Sequence, residues 1–104
     1  MNEAMMRIIG LATRAGKIEV GEGKTEDRVS HNKSKLVIIS LDASENTVKK
    51  FEKLCNRNGV KMIRAGERDI LGKYTGRESA VVLTVSDEGF ANRIKELAKD
   101  IKNI

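Results

Sequence analysis

The sequence predicts one α/β domain, a three-layer α/β/α sandwich with a mixed central sheet. Two runs of strand length, residues 36–41 and 80–85, are mostly apolar, as in strands that are buried on both faces. Amphipathic stretches with helical spacing precede, separate and follow these runs. The 104 residues contain no proline and no internal repeat, so we expect a single core and one domain over residues 1–104.

The first half of the chain alternates helical and extended patterns. Apolar residues recur at helical spacing over residues 5–15, and Gly16 supplies the end of this helix. Residues 17–20 form a short extended segment, and residues 21–32 form a second helix that is polar and weakly patterned. The buried strand at residues 36–41 follows.

A third helix is predicted after this strand. Ser44 is a suitable N-cap for it, and Gly59 supplies its end. One face of this helix is apolar and consists of Val48, Phe51 and Cys55. We expect Cys55 to be a buried, small apolar residue rather than a reactive thiol. Residues 60–63 are predicted to form a short strand after the helix.

The remaining elements are a short helix, a strand and a long helix. Residues 68–73 are predicted to form one or two helical turns ahead of Gly72 and Gly76, and the second apolar run follows. Ser86 or Asp87 is expected to cap the last helix. Its apolar stripe consists of Phe90, Ile94, Leu97, Ala98 and Ile101, and Lys99 and Lys102 lie in its last turns, as the helix dipole favours.

The charge distribution indicates a polyanionic partner. The formal net charge is +5, and residues 1–48 are balanced, whereas residues 49–77 carry nine basic side chains against three acidic ones. Such a segment in a compact domain favours nucleic acid, although a solvated basic face is the alternative. With two Phe, one Tyr and no Trp, the chain offers almost no platform for stacking single-stranded bases. The third helix contributes Lys49, Lys50, Lys53 and Arg57 to the basic segment.

The composition also predicts an ordered protein of the cytoplasm. Hydrophobic residues make up 39% of the chain and the mean hydropathy is −0.39, which is typical of globular proteins. No apolar run reaches the length of a membrane span, and none follows a basic N-terminus as in a signal peptide. The single cysteine cannot form an internal disulfide, so nothing indicates an oxidising compartment.

The residue types that catalysis needs are scarce. His31 is the only histidine, and a solvated histidine near a helix end accounts for it. One His and one Cys cannot supply a zinc ligand set. Residues 23–25 (Gly-Lys-Thr) reproduce the end of a P-loop, but Ile18 stands where that loop requires its first glycine. We therefore expect no enzymatic activity, no metal and no cofactor.

Several segments, taken in order, resemble one protein family. They are Leu-Ala-Thr-Arg-Ala-Gly-Lys at 11–17, Val-Gly-Glu at 20–22, Lys-Leu-Val-Ile-Ile at 35–39, Asp-Ala-Ser at 42–44, Leu-Gly at 71–72 and Asp-Glu-Gly-Phe-Ala at 87–91. This ordered set resembles the bacterial YlxQ-type branch of the kink-turn-binding ribosomal-protein superfamily. The resemblance covers most of the chain. It implies an α/β/α sandwich and RNA recognition without catalysis.

The resemblance also implies where RNA would dock. Members of this family place a loop and the start of a helix in the widened major groove of a sharply bent RNA, next to tandem sheared G·A pairs. A helix start suits this role because its free amides and partial positive charge attract phosphates. Polar side chains at that position can reach guanine edges. In this chain the corresponding element is residues 21–28, followed by Lys33 and Lys35.

This element departs from the family pattern. Strong kink-turn binders begin it with Gly-x-Asn-Glu and carry a lysine three residues after the glutamate. The gap-free equivalents are Gly21, Gly23, Lys24 and Asp27, so only the first glycine is kept and an acid replaces the lysine. An aspartate that faces a phosphate or a guanine O6 repels it, and Arg28 beside it compensates in part. The substitutions leave open whether kink-turn specificity is retained.

Further RNA contacts are implied around an extruded nucleotide. Ser44, Val48 and Arg68 match positions where the family usually has Glu, Ile and Lys. The loop before the last strand, with Gly76 and Arg77, is polar and lacks the Val-Ser-Arg-Pro sequence of some archaeal and eukaryotic members. Each of the three pocket positions also has a structural interpretation: Ser44 as a helix cap, Val48 as core and Arg68 as a solvated side chain.

Three functions are compatible with the sequence, and we expect the first. It is binding of structured RNA, ribosomal or other non-coding RNA, with association with the ribosome as one version. The second is a protein-interaction module on the same fold, and the third is a nucleotide enzyme. The RNA target and the oligomeric state stay open. The candidate RNA-binding residues are Gly21, Glu22, Gly23, Lys24, Asp27, Arg28, Lys33, Lys35, Ser44, Val48, Arg68, Gly76 and Arg77.

Overall fold

Helices and strands alternate along the whole described part of the chain. The structure, a computed structural model, describes residues 3–102, with side chains through residue 99. This part holds five helices and four strands. In chain order they are α1 (Glu3–Arg14), β1 (Ile18–Val20), α2 (Glu22–Ser30), β2 (Leu36–Ile39), α3 (Glu45–Asn58), β3 (Met62–Arg64), α4 (Arg68–Thr75), β4 (Val82–Val85) and α5 (Glu88–Lys102).

The four strands form one mixed sheet in the order β1-β4-β2-β3. β2 and β3 are parallel, with Ile38 opposite Ile63, and β4 is antiparallel to both β1 and β2. β1, β2 and β3 therefore run in one direction and β4 runs in the other. We call the end of the sheet where these three strands finish and β4 begins the front end, and the opposite end the back end. The mixed sheet predicted from the sequence is confirmed.

Helices cover both faces of the sheet, as the continuous apolar strands predicted. Leu36 and Ile38 of β2 pack with α1, α4 and α5 on one face. Val37 and Ile39 point to the other face and pack with Val29 of α2 and with α3. Because successive side chains of a strand point to opposite faces, a strand with apolar residues at every position requires a helical layer on each side. The three-layer α/β/α sandwich is confirmed.

The predicted caps and core positions hold in the structure. Ser44 caps α3, since its Oγ accepts a hydrogen bond from the Thr47 amide at 3.2 Å. Gly59 ends the same helix with φ 68°, the left-handed conformation that favours glycine. The Asp87 carboxylate accepts the Phe90 amide at 2.8 Å at the start of α5. Of the predicted apolar stripe of α5, Ile94 and Leu97 are buried, Phe90 and Ala98 are half-buried, and the side chain of Ile101 lies outside the described residues.

The strand boundaries differ from the predictions for local reasons. β2 ends at Ile39 because the amides of Ser40 and Leu41 bond to the neighbouring loops instead of continuing the strand, and the Leu41 side chain is 57% exposed. β3 and β4 each begin two residues later than predicted. Val60 still bonds back to the end of α3, and the Ala80 amide bonds to the Arg68 carbonyl.

No helix among the described residues combines the length and the apolarity that crossing a membrane requires.

The helix α4 differs from its prediction, since Gly72 lies inside this helix rather than at its end. Gly76, with φ 76°, ends the helix instead. Gly72 is buried, and a Cβ atom added there would lie 2.6 Å from the Ser79 Cα atom. The glycine is therefore required by the close approach of the loop that precedes β4.

Candidate nucleic-acid interface

Backbone hydrogen bonds join the loops of the front end into one surface. These loops follow β1, β2 and β3 and precede β4, so the sheet topology brings together four segments that are distant in sequence. The contacts are short and involve main-chain atoms only, which makes the surface largely independent of side-chain conformation. They run from Gly21 N to Val82 O (2.8 Å), Ser40 N to Val81 O (2.8 Å), Leu41 N to Gly66 O (2.7 Å) and Ala80 N to Arg68 O (2.9 Å).

The start of α2 lies in this surface and has no side-chain cap. Gly21 is the N-cap residue, and its φ of 121° belongs to a region that residues with a Cβ atom rarely adopt. Glycine also has no side chain that could accept the first amides of the helix. No described side chain takes over this role. The first turn of α2 therefore presents its N–H groups at the front end, where the helix dipole is positive.

Glu19 of β1 lies beside the basic residues of α2, a contact that was not predicted from the sequence. Its carboxylate is 3.7 Å from the Lys24 Nζ atom and 3.4 Å from a terminal nitrogen of Arg28. These three side chains, together with Gly23 and Asp27, line a cavity of about 310 Å³. The alternation of side chains along β1 indicates this contact. Ile18 and Val20 pack against the α1 side of the sheet, so Glu19 must face α2.

Asp27 faces the same cavity as Lys24 and Arg28. Its side chain is 62% exposed, and its carboxylate lies 3.3 Å from the His31 Nδ1 atom one turn later. His31 is exposed near the end of α2, as the sequence predicted, and its Nδ1 atom also lies 2.8 Å from the Asp27 carbonyl oxygen. The Asp27 carboxylate is thus accessible to a ligand at this surface.

Arg68 is held by Asp42 across the front end. The Arg68 amide donates to Asp42 Oδ1 (3.1 Å), Nε donates to Oδ2 (3.3 Å), and the guanidinium donates to the Asp42 carbonyl oxygen (2.8 Å). Burial acts to raise the pKa of Asp42, but the nearby Ser40 side chain, the hydrogen bonds from Arg68 and the positive charge of Arg68 outweigh it and lower the pKa below its ordinary value. Arg68 therefore fixes the loop after β2 to the start of α4, a role that the sequence did not predict.

Ser44 and Val48 have structural roles in this arrangement. Ser44 caps α3, and its hydroxyl also donates to the Thr47 Oγ1 atom at 2.9 Å. Val48 is half-buried and packs against the core between the sheet and the α2–α3 layer. Val48 therefore offers a ligand little surface. In the loop before β4, Gly76 has positive φ and Arg77 is exposed.

Lys33 and Lys35 do not share this surface. α2 begins at the front end and runs back along the sheet for nine residues, about 13 Å. The Lys35 amide bonds to the carbonyl oxygen of Val85, the last residue of β4, which places Lys35 at the back end. The sequence predicted one RNA-binding edge that includes Gly21, Lys33 and Arg68, and the structure separates Lys33 and Lys35 from Gly21 and Arg68. The reason is that α2 runs opposite to the strands on either side of it in the chain.

The basic residues of α3 are partly neutralised within the protein. Lys49 lies 3.2 Å from Glu45, and Lys50 contacts both Glu22 and Glu26 of α2. The hydrogen bond to Glu26, with the second one to Glu22, raises the pKa of Lys50 although burial opposes the shift. Lys53 and Arg57 are exposed and form no ion pair with another described residue. α3 therefore has less free positive charge than its sequence suggests.

The P-loop interpretation of residues 23–25 does not fit the structure. A P-loop curls its backbone around a phosphate, whereas these residues are the second to fourth of the regular helix α2. The Thr25 side chain, which would have to reach a magnesium ion, is completely buried. Within the described residues, no three His, Cys, Asp or Glu side chains are grouped in a way that could hold a metal ion. Burial raises the pKa of the Cys55 thiol to about 11, which makes it a poor nucleophile.

Comparison with known proteins gives consistent matches over most of the chain. Residues 3–95 match the model of the ribosomal protein L7Ae/L30e/S12e/Gadd45 family. The chain is 39% identical over 90 residues to the RNA-binding protein YlxQ of Bacillus subtilis (strain 168), covering 86% of this chain and 90% of the relative. It is 36% identical over 92 residues to the RNA-binding protein YlxQ of Enterococcus faecium, covering 88% of each chain.

Solved structures with the same fold are also found. A protein of unknown function from Bacillus halodurans superposes with a TM-score of 0.89 at 32% identity, covering 91% of this chain and 96% of that one. The 15.5kD RNA binding protein of Giardia lamblia superposes with a TM-score of 0.78 at 19% identity, covering 99% of this chain and 92% of that one. The second likeness is one of fold alone.

Proposed function

Because the chain belongs to the ribosomal protein L7Ae/L30e/S12e/Gadd45 family, we propose that it is a non-catalytic protein that binds structured RNA through its front end. The observation that carries this proposal is the uncapped start of α2 in a surface built from four loops. Free helix amides hold phosphates without a specialised side chain, and a surface of rigid loops can match the shape of a folded RNA. Both YlxQ relatives are named RNA-binding proteins, which supports the same role here.

The aromatic residues support structured rather than single-stranded RNA as the ligand. Phe51 is completely buried between the sheet and the α2–α3 layer, and Tyr74 and Phe90 are half-buried against the core on the other face of the sheet. None of the three lies at the front end as an exposed platform on which an unpaired base could stack. Recognition would therefore depend on the shape of the RNA backbone and on the edges of bases in a widened groove.

We further propose that the ligand is a kink-turn-type or ribosomal RNA and that the protein acts in the cytoplasm. If the ligand is ribosomal RNA, the protein would bind to the ribosome. Lys24 and Arg28 would face the RNA backbone beside the helix start. Asp27 faces the same cavity, and its negative charge would lower the affinity. The chain would thus retain the family's docking geometry with weaker charge complementarity.

A protein-interaction module with a lapsed RNA surface is the second candidate. Glu19 pairs with Lys24 and Arg28, and Asp42 pairs with Arg68, so these three cations already have an acidic partner inside the protein. Internal pairing of this kind reduces the charge that is available to phosphates. It is the observation that favours this candidate.

Equilibrium binding to two RNA duplexes distinguishes the candidates. One duplex contains a kink-turn and the other is straight with the same base composition, and both are measured by fluorescence anisotropy over a salt series. We expect tighter binding to the bent duplex, and an affinity whose log–log salt slope is about 0.7–0.9 for each neutralised phosphate. Absence of binding to both RNAs at low salt would favour the protein-interaction module, and an affinity that does not change with salt would contradict the electrostatic part of the proposal.

A further inference from the structure

β3 leaves one edge of the sheet open, and the direction of its peptide groups is known. β3 is the last strand in the order β1-β4-β2-β3. The Lys61 carbonyl and the Ala65 amide bond to β2 at 3.0 and 3.1 Å. Peptide groups alternate in direction along a strand, so those of Met62 and Arg64 point away from β2. An open row of this kind can accept one more strand.

Three lysines stand beside this edge on the side of α5. Lys61, Lys95 and Lys99 line a cavity of about 270 Å³, whose floor consists of Ile63 and Ala98. None of the three ammonium groups lies within ion-pair distance of another described residue. The cavity therefore combines a positive rim with an apolar floor. Its lysines differ in this respect from Lys24, Arg28 and Arg68, which all have acidic partners.

We propose that the open edge of β3 binds an extended acidic segment of a partner protein by strand addition. The main chain of that segment would pair with the Met62 and Arg64 peptide groups. Side chains on the α5 side would recur every second residue, so acidic ones would meet Lys61, Lys95 and Lys99 and an apolar one would enter the cavity above Ile63. The proposal does not depend on RNA binding, because β3 lies on a different side of the molecule from α2.

The positive charge beside the β3 edge favours an acidic strand over a second copy of the chain, and the open strand edge favours it over RNA. A second copy of the chain would bring the same lysines against each other, and lysine on an edge strand is a known obstacle to pairing between identical copies. RNA would use the positive charge, but its phosphate backbone cannot continue the main-chain hydrogen bonding of a strand and gains nothing from an apolar floor. An acidic strand satisfies the peptide groups, the lysines and the cavity together.

The test uses a defined peptide and the full chain. The probe is a fluorescein-labelled octapeptide with glutamate, valine, glutamate and glutamate at alternate positions and threonine between them, so that one side of the strand carries both acidic and apolar side chains. The same peptide with lysine in place of glutamate is the opposite-charge control. Binding is measured by anisotropy, and the bound state by amide hydrogen exchange in two-dimensional ¹H–¹⁵N spectra. We expect the acidic peptide to bind and to slow exchange of the Met62 and Arg64 amides. Unchanged exchange at these two amides, or no binding of the acidic peptide, would overturn the proposal.

Two matched charge reversals locate the site. K95E with K99E reverses two charges one helical turn apart on α5, and K49E with K53E does the same on α3, on the opposite face of the sheet. The first variant should bind the acidic peptide at least about tenfold more weakly, because two attractive contacts become repulsive. The second should change far less. Equal losses in the two variants would mean non-specific charge attraction, and displacement of the peptide by the kink-turn duplex would assign the cluster to RNA; either result contradicts the proposal.

Discussion

Arg68 spans the Asp42 carboxylate, with Nε 3.3 Å from Oδ2, and its guanidinium also donates to the Asp42 carbonyl oxygen at 2.8 Å. The two residues are 26 positions apart in sequence. They belong to the loop after β2 and the first turn of α4, so their contact ties two of the four front-end loops together. Because the main-chain amide of Arg68 also binds this carboxylate, the contact orients backbone as well as side chain.

The first prediction is that D42N destabilises the protein at neutral pH and reduces its sensitivity to acid. The pKa of Asp42 is lower in the folded protein than the ordinary value of an aspartate, so its ionised form stabilises the fold. That contribution is fully present above about pH 4 and is lost as the pH falls through the lowered pKa. Thermal unfolding at pH 7 and pH 3 measures both effects. The control E52Q removes an exposed carboxylate of α3. Equal losses of midpoint temperature between pH 7 and pH 3 in D42N and in the parent would contradict the prediction.

The second prediction is that G72A destabilises the protein by about 1–3 kcal/mol, the usual cost of overpacking a filled space. The added Cβ atom would lie 2.6 Å from the Ser79 Cα atom and 2.8 Å from the Arg77 carbonyl oxygen, so the loop before β4 would have to move. Urea unfolding measures the change. The matched control is G23A in α2, where an added Cβ atom would meet nothing within 4 Å beyond its own stretch of helix. Alanine is also the better helix former, so this variant should be as stable as the parent or more stable. A G72A protein as stable as the parent would show that this contact is not tight.

The third prediction is that D27K strengthens binding to the kink-turn duplex by about 1–3 kcal/mol, the range for a good charged contact to a base edge or phosphate. The substitution removes a negative charge from the cavity beside Lys24 and Arg28 and restores the cation that the family carries there. E52K is the control, with the same charge change on the exposed side of α3. Affinities are compared at one salt concentration. If both variants gain equally, the effect is one of net charge and the proposed docking face is wrong.

The fourth prediction concerns shape discrimination. K24A with R28A should abolish the preference for the bent duplex, because these cations line the cavity beside the start of α2, which we propose enters the RNA groove. K49A with K53A should weaken binding to both duplexes about equally, since the side of a helix reads no RNA shape. Lys33 stays unchanged in this variant, because it follows the end of α2 and lies towards the back end of the sheet. The measured quantity is the ratio of the two affinities. If K49A with K53A alone abolished the preference, the RNA-recognition surface would lie on α3 and the prediction would be wrong.

The sequence by itself determined the layers of the fold and the ends of some helices. Apolar residues at every position of β2 required helices on both faces of the sheet, and the caps at Ser44 and Asp87 could be assigned because capping depends on residues only a few positions apart. Burial of Cys55 and exposure of His31 followed from helical spacing in the same way. Each of these features depends on short-range geometry, which the residue pattern encodes directly.

Only the tertiary structure decided which of the candidate residues share a surface. Glu19 meets Arg28, and Asp42 meets Arg68, because the order β1-β4-β2-β3 and the parallel direction of β2 and β3 bring distant loops to one end of the sheet. The same topology places Lys35 at the opposite end. Residue patterns carry the period of each element but not the order of strands or the direction in which each helix crosses the sheet. Contacts between elements depend on the strand order and on the helix directions, so only the folded structure reveals them.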